Sequence, residues 1–222
     1  MTAEKLKERK ARAKKMLAYL KKAYPDPRTE LLYKTPVQLA AAVMLSAQST
    51  DKRVNMVTEK LWKKYKTVND LADADLAEFT QEISSITFYR NKAKAIIGMA
   101  QRVRSEYGGK IPKTEAELIT LPGIAYKSAH VIAGELYGIY EGIPTDTHVR
   151  RFALRFDLTD SKDLTKISKD LEALIPKEDW KYVNNGLVLY GRYVCKAIPH
   201  PCEDHPLTKI WPPAAHRWPK AK

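Results

Sequence analysis

Apolar positions recur at helical spacing through most of the chain, and no stretch alternates apolar and polar residues at period two. The first pattern puts a stripe on one face of a helix, whereas strict alternation marks a half-buried strand. Residues 36–47, rich in Ala, Val, Met and Leu, read as a buried helix with Pro36 in its first turn. Ser49-Thr50-Asp51 offers cap chemistry for a helix through Lys64, on which Val54, Val57, Leu61 and Trp62 fall at roughly helical spacing. Further helices are predicted over about 68–84, 90–107, 114–120, 126–138, 147–156, 162–174 and 179–192. Turn signals separate them at Gly108-Gly109, Pro122-Gly123, Gly138, Gly142 and Pro176. Residues 4–22 predict a basic helix docked by a partial stripe of Leu6, Met16, Leu17 and Leu20, with phosphate contact as the sharper alternative. Pro25 and Pro27 then break the chain. The fold class is all-α, without a solenoid repeat or a low-complexity tract apart from the Pro-rich end after 198.

Composition narrows the function classes. A chain of 222 residues can bury a real core as one domain or two, and 44% hydrophobic content is ordinary for a globular protein. No apolar run approaches the length of a membrane span, and the lysine-rich first residues lack the features of a secretory signal. Two cysteines make no disulfide framework, which fits a reducing interior, so a cytoplasmic location is expected (nucleoid-associated, or nuclear in a eukaryote). A net charge of +13 favours polyanions, nucleic acid first and an acidic membrane surface second.

Candidate chemistry concentrates in Leu121-Pro122-Gly123-Ile124-Ala125-Tyr126-Lys127-Ser128-Ala129, followed by Thr145-Asp146-Thr147-His148. A tight turn opening onto a helix offers free N–H groups and a favourable dipole to an anion. Lys127 can serve as an amine nucleophile, because the helix start and desolvation both disfavour its cation. Asp146 can stabilise developing positive charge, although its place before Thr147-His148-Val149 also suits a helix cap.

These segments resemble the helix-hairpin-helix and Gly/Pro-Asp element of base-excision DNA glycosylases of the endonuclease III branch. Three further blocks carry the resemblance: Gln38 to Asp51, containing Leu45-Ser46-Ala47-Gln48; Phe88-Tyr89-Arg90-Asn91-Lys92-Ala93; and Gly186 to Cys195. The resemblance implies two helical lobes flanking a DNA-binding cleft, 27–140 against 1–26 with 141–222, and Lys127 facing Asp146 across it. It also implies a bifunctional glycosylase and AP lyase acting on double-stranded DNA, as a monomer, at oxidised pyrimidines and abasic sites. Lys127 would form a Schiff base and Asp146 would assist. Gln48 would fill the gap left by a flipped base, and Phe88 would wedge the opposite strand. Gly123, Ala125, Tyr126, His148, Arg150 and Arg151 would contact DNA, with Lys196 a further phosphate candidate. Without the resemblance, Gln48 reads as a polar helix end and Phe88 as core. The alternatives are a thymine-mismatch or alkylated-base glycosylase, a non-catalytic helix-hairpin-helix protein, and a basic scaffold.

The chain departs from this family in three places. Ala125 and Tyr126 stand where glycine and a basic or polar residue are usual, and Thr87-Phe88 replaces a Gly-Leu pair. Relatives usually bind a [4Fe–4S] cluster through four cysteines spaced C-x6-C-x2-C-x5-C, but here Cys195 and Cys202 are followed by His205 and Trp211. Indole nitrogen has no lone pair to offer a metal. The expectation is therefore no cofactor and no metal, with a zinc site from Cys195, Cys202, His205 and His200 or His216 as the alternative.

Overall fold

The computed structural model describes residues 2–219, and regular structure among them is entirely helical. The helices are α1 (Ala3–Ala23), α2 (Pro36–Ser46), α3 (Asp51–Lys64), α4 (Val68–Ala72), α5 (Leu76–Glu82), α6 (Tyr89–Glu106), α7 (Glu115–Leu118), α8 (Tyr126–Tyr137), α9 (Thr147–Arg155), α10 (Leu164–Leu174), α11 (Trp180–Tyr193) and α12 (Pro206–Ile210). Short 3₁₀ turns occupy Lys177–Asp179 and Pro212–His216. The chain divides into two compact units, Thr29–Glu141 and Met1–Arg28 with Gly142–Lys222. No helix among the described residues is long and apolar enough to cross a membrane.

The first unit is organised around α2. Leu39, Ala40, Ala41, Ala42 and Leu45 are wholly inaccessible, and α3, α6 and α8 pack against this helix. Its start is a capping box: the Gln38 amide N–H bonds Thr35 Oγ1, and the Gln38 side chain bonds the Thr35 backbone N–H in return. Such a cap contributes about 1 kcal/mol, while each fully buried leucine contributes roughly 1.5–3 kcal/mol. Core burial therefore fixes where α2 lies, and the cap fixes where it begins. The single helix expected over 68–84 is instead two. Asp73 and Ala74 leave the helix, and Asp75 starts the next by accepting from the Glu78 N–H at 2.8 Å. A new cap outcompetes continuation of the old helix there.

The second unit packs α1 against α10, α11 and α12, and α9 against α10 and α11. Ala13, Met16, Leu17 and Leu20 bury the inner face of α1, as its stripe predicts, but Arg9 is buried with them. Arg9 bonds the Asp157 carbonyl at 2.9 Å, the Asp157 carboxylate at 3.1 Å and Asp160 at 2.8 Å. Arg12 bonds the carbonyls of Phe156 and Asp157 at 2.7 and 2.8 Å. Both arginines are thereby committed to bracing the end of α9. The Pro-rich end is also ordered onto this core: Leu207, Thr208, Ala214 and Ala215 are buried.

Asp157 holds this brace together from a left-handed backbone, φ 49°. Burial alone would raise its carboxyl, but bonds from Arg9 and Arg12 override that and hold it below the usual carboxylate range. A depressed folded value means stability that is present above the unfolded value, near about 3.9, and lost as pH falls through the folded one. Asp157→Asn keeps a residue that tolerates positive φ and removes the charge. We expect this variant to be less stable at neutral pH, and to lose less Tm than the parent between about pH 5 and pH 3. Thermal melts across that range measure it.

Candidate functional site

The hairpin region sits in the first unit. After α7 the chain turns through Leu121, Pro122 and Gly123 before α8 begins at Tyr126. Gly123 has φ 77°, and an added Cβ would approach the Ala95 Cβ and Met44 Cε to 2.8 Å. Only glycine fits there, because both the left-handed backbone and the close packing exclude a side chain. The N-cap of α8 is Ala125, which makes no side-chain cap bond. The first-turn N–H groups of α8 thus lack the side-chain acceptor that most helices here carry, and Tyr126 and Lys127 of that turn are exposed. Lys127 is exposed, not desolvated as expected from the sequence.

Asp146 is the N-cap of α9 in the second unit. Its Oδ1 accepts from the His148 and Val149 N–H groups at 2.8 and 2.9 Å. His148 and Arg150 are half-buried on the same helix. Arg151 corrects an expectation. It is buried, and its Nη1 donates to the Cys195 and Lys196 carbonyls at 2.7 and 2.6 Å. Its guanidinium braces the loop after α11 and is not a surface phosphate ligand. Gly191 permits this closeness, since a Cβ there would run into His148 and Arg151.

Gln48 and Phe88 share an unusual property. Both are exposed, and both adopt left-handed backbone, φ 56° and 58°. Phe88 is not core, and it forms the uncapped start of α6. Positive φ at such residues costs on the order of 1–3 kcal/mol and persists only where surrounding structure imposes it. Between these two positions lies Lys92, whose side chain crosses from α6 to the end of α2. Its Nζ donates to the Leu45 and Ala47 carbonyls at 2.8 and 2.5 Å. Burial pulls its ammonium below the ordinary lysine range. The Thr87 N–H adds a bond to Ser49 Oγ at 3.3 Å, so the two loops are tied directly. Lys92 lies within the Phe88–Ala93 block, but nothing in the sequence distinguishes it from a surface lysine, because an isolated lysine carries no sign of burial.

The cofactor expectation is corrected by the C-terminal loop. Donor atoms of Cys195, His200, Cys202 and His205 all lie within 4.8 Å of one another, a group able to hold a metal. The fourth member is His200, not Trp211, which instead lies against the guanidinium of Arg12 at 4.0 Å. His200 Nδ1 donates to the Ile198 carbonyl at 2.7 Å, which leaves the lone pair on Nε2. Among the described residues, buried His200 Nε2 and His205 Nδ1 have no hydrogen-bond partner. Orphaned imidazole nitrogens beside two buried thiols fit a metal centre of thiolate–imidazole type. A second missed residue, Arg155, faces the sulfurs: Nη1 bonds Cys195 Sγ at 2.9 Å and Nη2 bonds Cys202 Sγ at 3.1 Å. Burial pushes the Cys195 thiol up, against the pull of Arg155. Spacing along α9 offered a signal, since Arg155 follows Arg151 by one turn on the same buried face.

The family described as "HhH-GPD superfamily base excision DNA repair protein" matches residues 41–177. Endonuclease III of Synechocystis sp. is 42% identical over 210 residues, covering 95% of this chain and 96% of the relative. A solved structure described as a non-covalent endonuclease III–DNA complex superposes with a TM-score of 0.85 at 35% identity, covering 93% of this chain and 97% of that one. A second, described as a trapped endonuclease III–DNA covalent intermediate in an estranged-adenine complex, gives 0.83 at 36% identity and covers 90% and 94%.

Removing the Lys92 ammonium should leave two carbonyls at the end of α2 without their donor. We expect Lys92→Met to lower unfolding free energy by about 1–3 kcal/mol, read as a reduced midpoint in urea denaturation.

Proposed function

The chain belongs to the HhH-GPD superfamily of base excision DNA repair proteins, and from that membership we propose that Lys127 and Asp146 carry its chemistry. The enzyme is a DNA glycosylase with AP-lyase activity, and it binds DNA. The observation that carries the residue assignment is the start of α8: an exposed lysine on a helix whose first turn has no side-chain cap, directly after a glycine-enforced turn. Phosphate oxygens satisfy those N–H groups and place the strand beside the amine. A covalent complex with DNA, trapped in the similar endonuclease III, supports a route through a protein–sugar bond.

The neutral Lys127 amine attacks C1′ of the deoxyribose, the glycosidic bond breaks, and the base leaves with the bonding pair and takes up a proton. Ring opening gives a Schiff base. Loss of a C2′ proton then drives cleavage of the C3′–O bond, and the 3′ phosphate departs as the strand is nicked. At an abasic site the amine condenses with the C1′ aldehyde, releases water and joins the same sequence. Asp146 stabilises positive charge on the sugar as the first bond breaks, while Oδ1 remains the cap of α9.

The glycosidic carbon is inaccessible inside a duplex, so the target nucleotide must leave the stack. Gln48 fills the space it vacates, and Phe88 wedges the facing strand. Their exposure and imposed backbone suit residues that must not relax when DNA is withdrawn. Gly123, Ala125 and Tyr126 hold phosphate at the hairpin, with His148 and Arg150 on α9 as further contacts. Oxidised pyrimidines and abasic sites are the substrate class, and the enzyme works as a monomer.

Borohydride reduction on abasic duplex tests the assignment. The parent should give a covalent protein–DNA adduct, and Lys127→Ala should give none while still binding the duplex; an adduct that persists in the variant would overturn the lysine's role. Asn caps a helix as well as Asp does. Asp146→Asn should therefore keep its Tm while base release slows by about 10²-fold or more in single-turnover assays.

A further inference from the structure

The stretch 195–205 contains a built group that strand chemistry does not use. Two thiols and two imidazoles converge there, with Cys195 and Cys202 buried and the histidines half-buried. We propose that Cys195, His200, Cys202 and His205 together ligate one metal centre, with His200 supplying the fourth bond in place of Trp211. The chemistry is that of a borderline-soft transition metal on thiolate and imidazole, and donors this close together suit a single ion such as zinc, whereas a multi-iron cluster would need them spread farther apart.

Three observations carry the ligand set. The first is distance. Two ligands of one zinc ion stand no farther apart than the sum of their bonds, about 4.0–4.6 Å. Donors already within 4.8 Å need only small side-chain rotations to share an ion. The second is the state of the histidines. His200 has its tautomer fixed by the Ile198 carbonyl, the usual arrangement behind a metal-bound imidazole. Its Nε2 and the His205 Nδ1 are buried without partners, which costs free energy unless something accepts their lone pairs.

The third is the shell around the sulfurs. Arg155 is inaccessible, donates to both Sγ atoms, and lies 3.9 Å over the Trp218 ring. A buried guanidinium against two sulfurs suits thiolates, whose charge it offsets, better than thiols. Arg151 fixes the backbone of the first ligand through the Cys195 and Lys196 carbonyls. His216, the other histidine of this region, is exposed and stands outside the group.

Elemental analysis of the full chain, with acid-labile sulfide measured in parallel, tests this without reference to DNA cleavage. The parent should hold one ion per chain, as isolated or after anaerobic loading with Zn²⁺. Metal without acid-labile sulfide, one ion per chain and dependent on His200, supports the ligand set, whereas iron with sulfide identifies a cluster and overturns the single-ion assignment. His200→Ala should lower metal affinity by at least about tenfold, while Trp211→Phe and His216→Ala keep it. Equal metal in His200→Ala, or a parent that holds no metal after loading, would overturn the proposal. Should His200→Ala fail to fold, X-ray absorption on the loaded parent decides: nitrogen neighbours alongside two protein sulfurs support it, and an all-sulfur shell refutes it.

Discussion

A single buried ammonium closes the end of the most buried helix in the first unit. The carbonyls at the C-terminus of α2 carry the negative end of its dipole to the edge of the buried core, and the largely buried Lys92 ammonium meets two of them. In that low-dielectric setting the charge–dipole contact is strong, and losing it would leave polar groups stranded. Its consequence is directional. With α2 ended by a side chain from α6, the chain leaving α2 must turn through Gln48, and the chain entering α6 must turn through Phe88, each by way of left-handed backbone. Two exposed residues thus stand in sparsely populated conformations on loops tied to each other through Lys92 and the Thr87–Ser49 bond.

The second unit uses the same device with guanidinium groups. Arg9, Arg151 and Arg155 are buried, and each spans backbone carbonyls or sulfurs that would otherwise lack donors. A formal charge of +13 therefore overstates what the surface presents to a polyanion, since part of the positive charge is internal bracing. This division explains why an arginine adjacent to Arg150 on α9 contributes to architecture. On an amphipathic helix, neighbouring positions face different ways.

Much of the fold was legible from the chain. Cap chemistry at Thr50 and Asp146 announced two helix starts, and each of these residues caps a helix in the structure. The break at Asp73 to Asp75 was not, because a continuous apolar pattern masked two competing caps. For the site, motif spacing located Lys127, Asp146, Gln48 and Phe88 on particular elements, but not the burial of Lys92 or Arg151. His200 escaped assignment as a favoured ligand because it lies outside the cysteine spacing that drew attention to the loop. Only folding of that loop brings its ring against Cys202 and His205. Charge and motif report residue type; what they omit is which charged groups the core has claimed.

The first unit also contains an asymmetry among its helix starts. Five of its helices begin with a threonine or aspartate bonded to the first turn, and α6 and α8 do not. A missing cap costs about 1 kcal/mol, small for one helix yet a visible share of the stability of a whole domain. On the proposed reading, a duplex phosphate completes α8 where the sequence placed alanine. Binding and folding are then thermodynamically linked: every copy seated on DNA is a more stable molecule than the same copy free in solution, by an amount that grows with the logarithm of DNA concentration over Kd. By this route the polymer that the enzyme repairs also acts as a ligand that stabilises its fold.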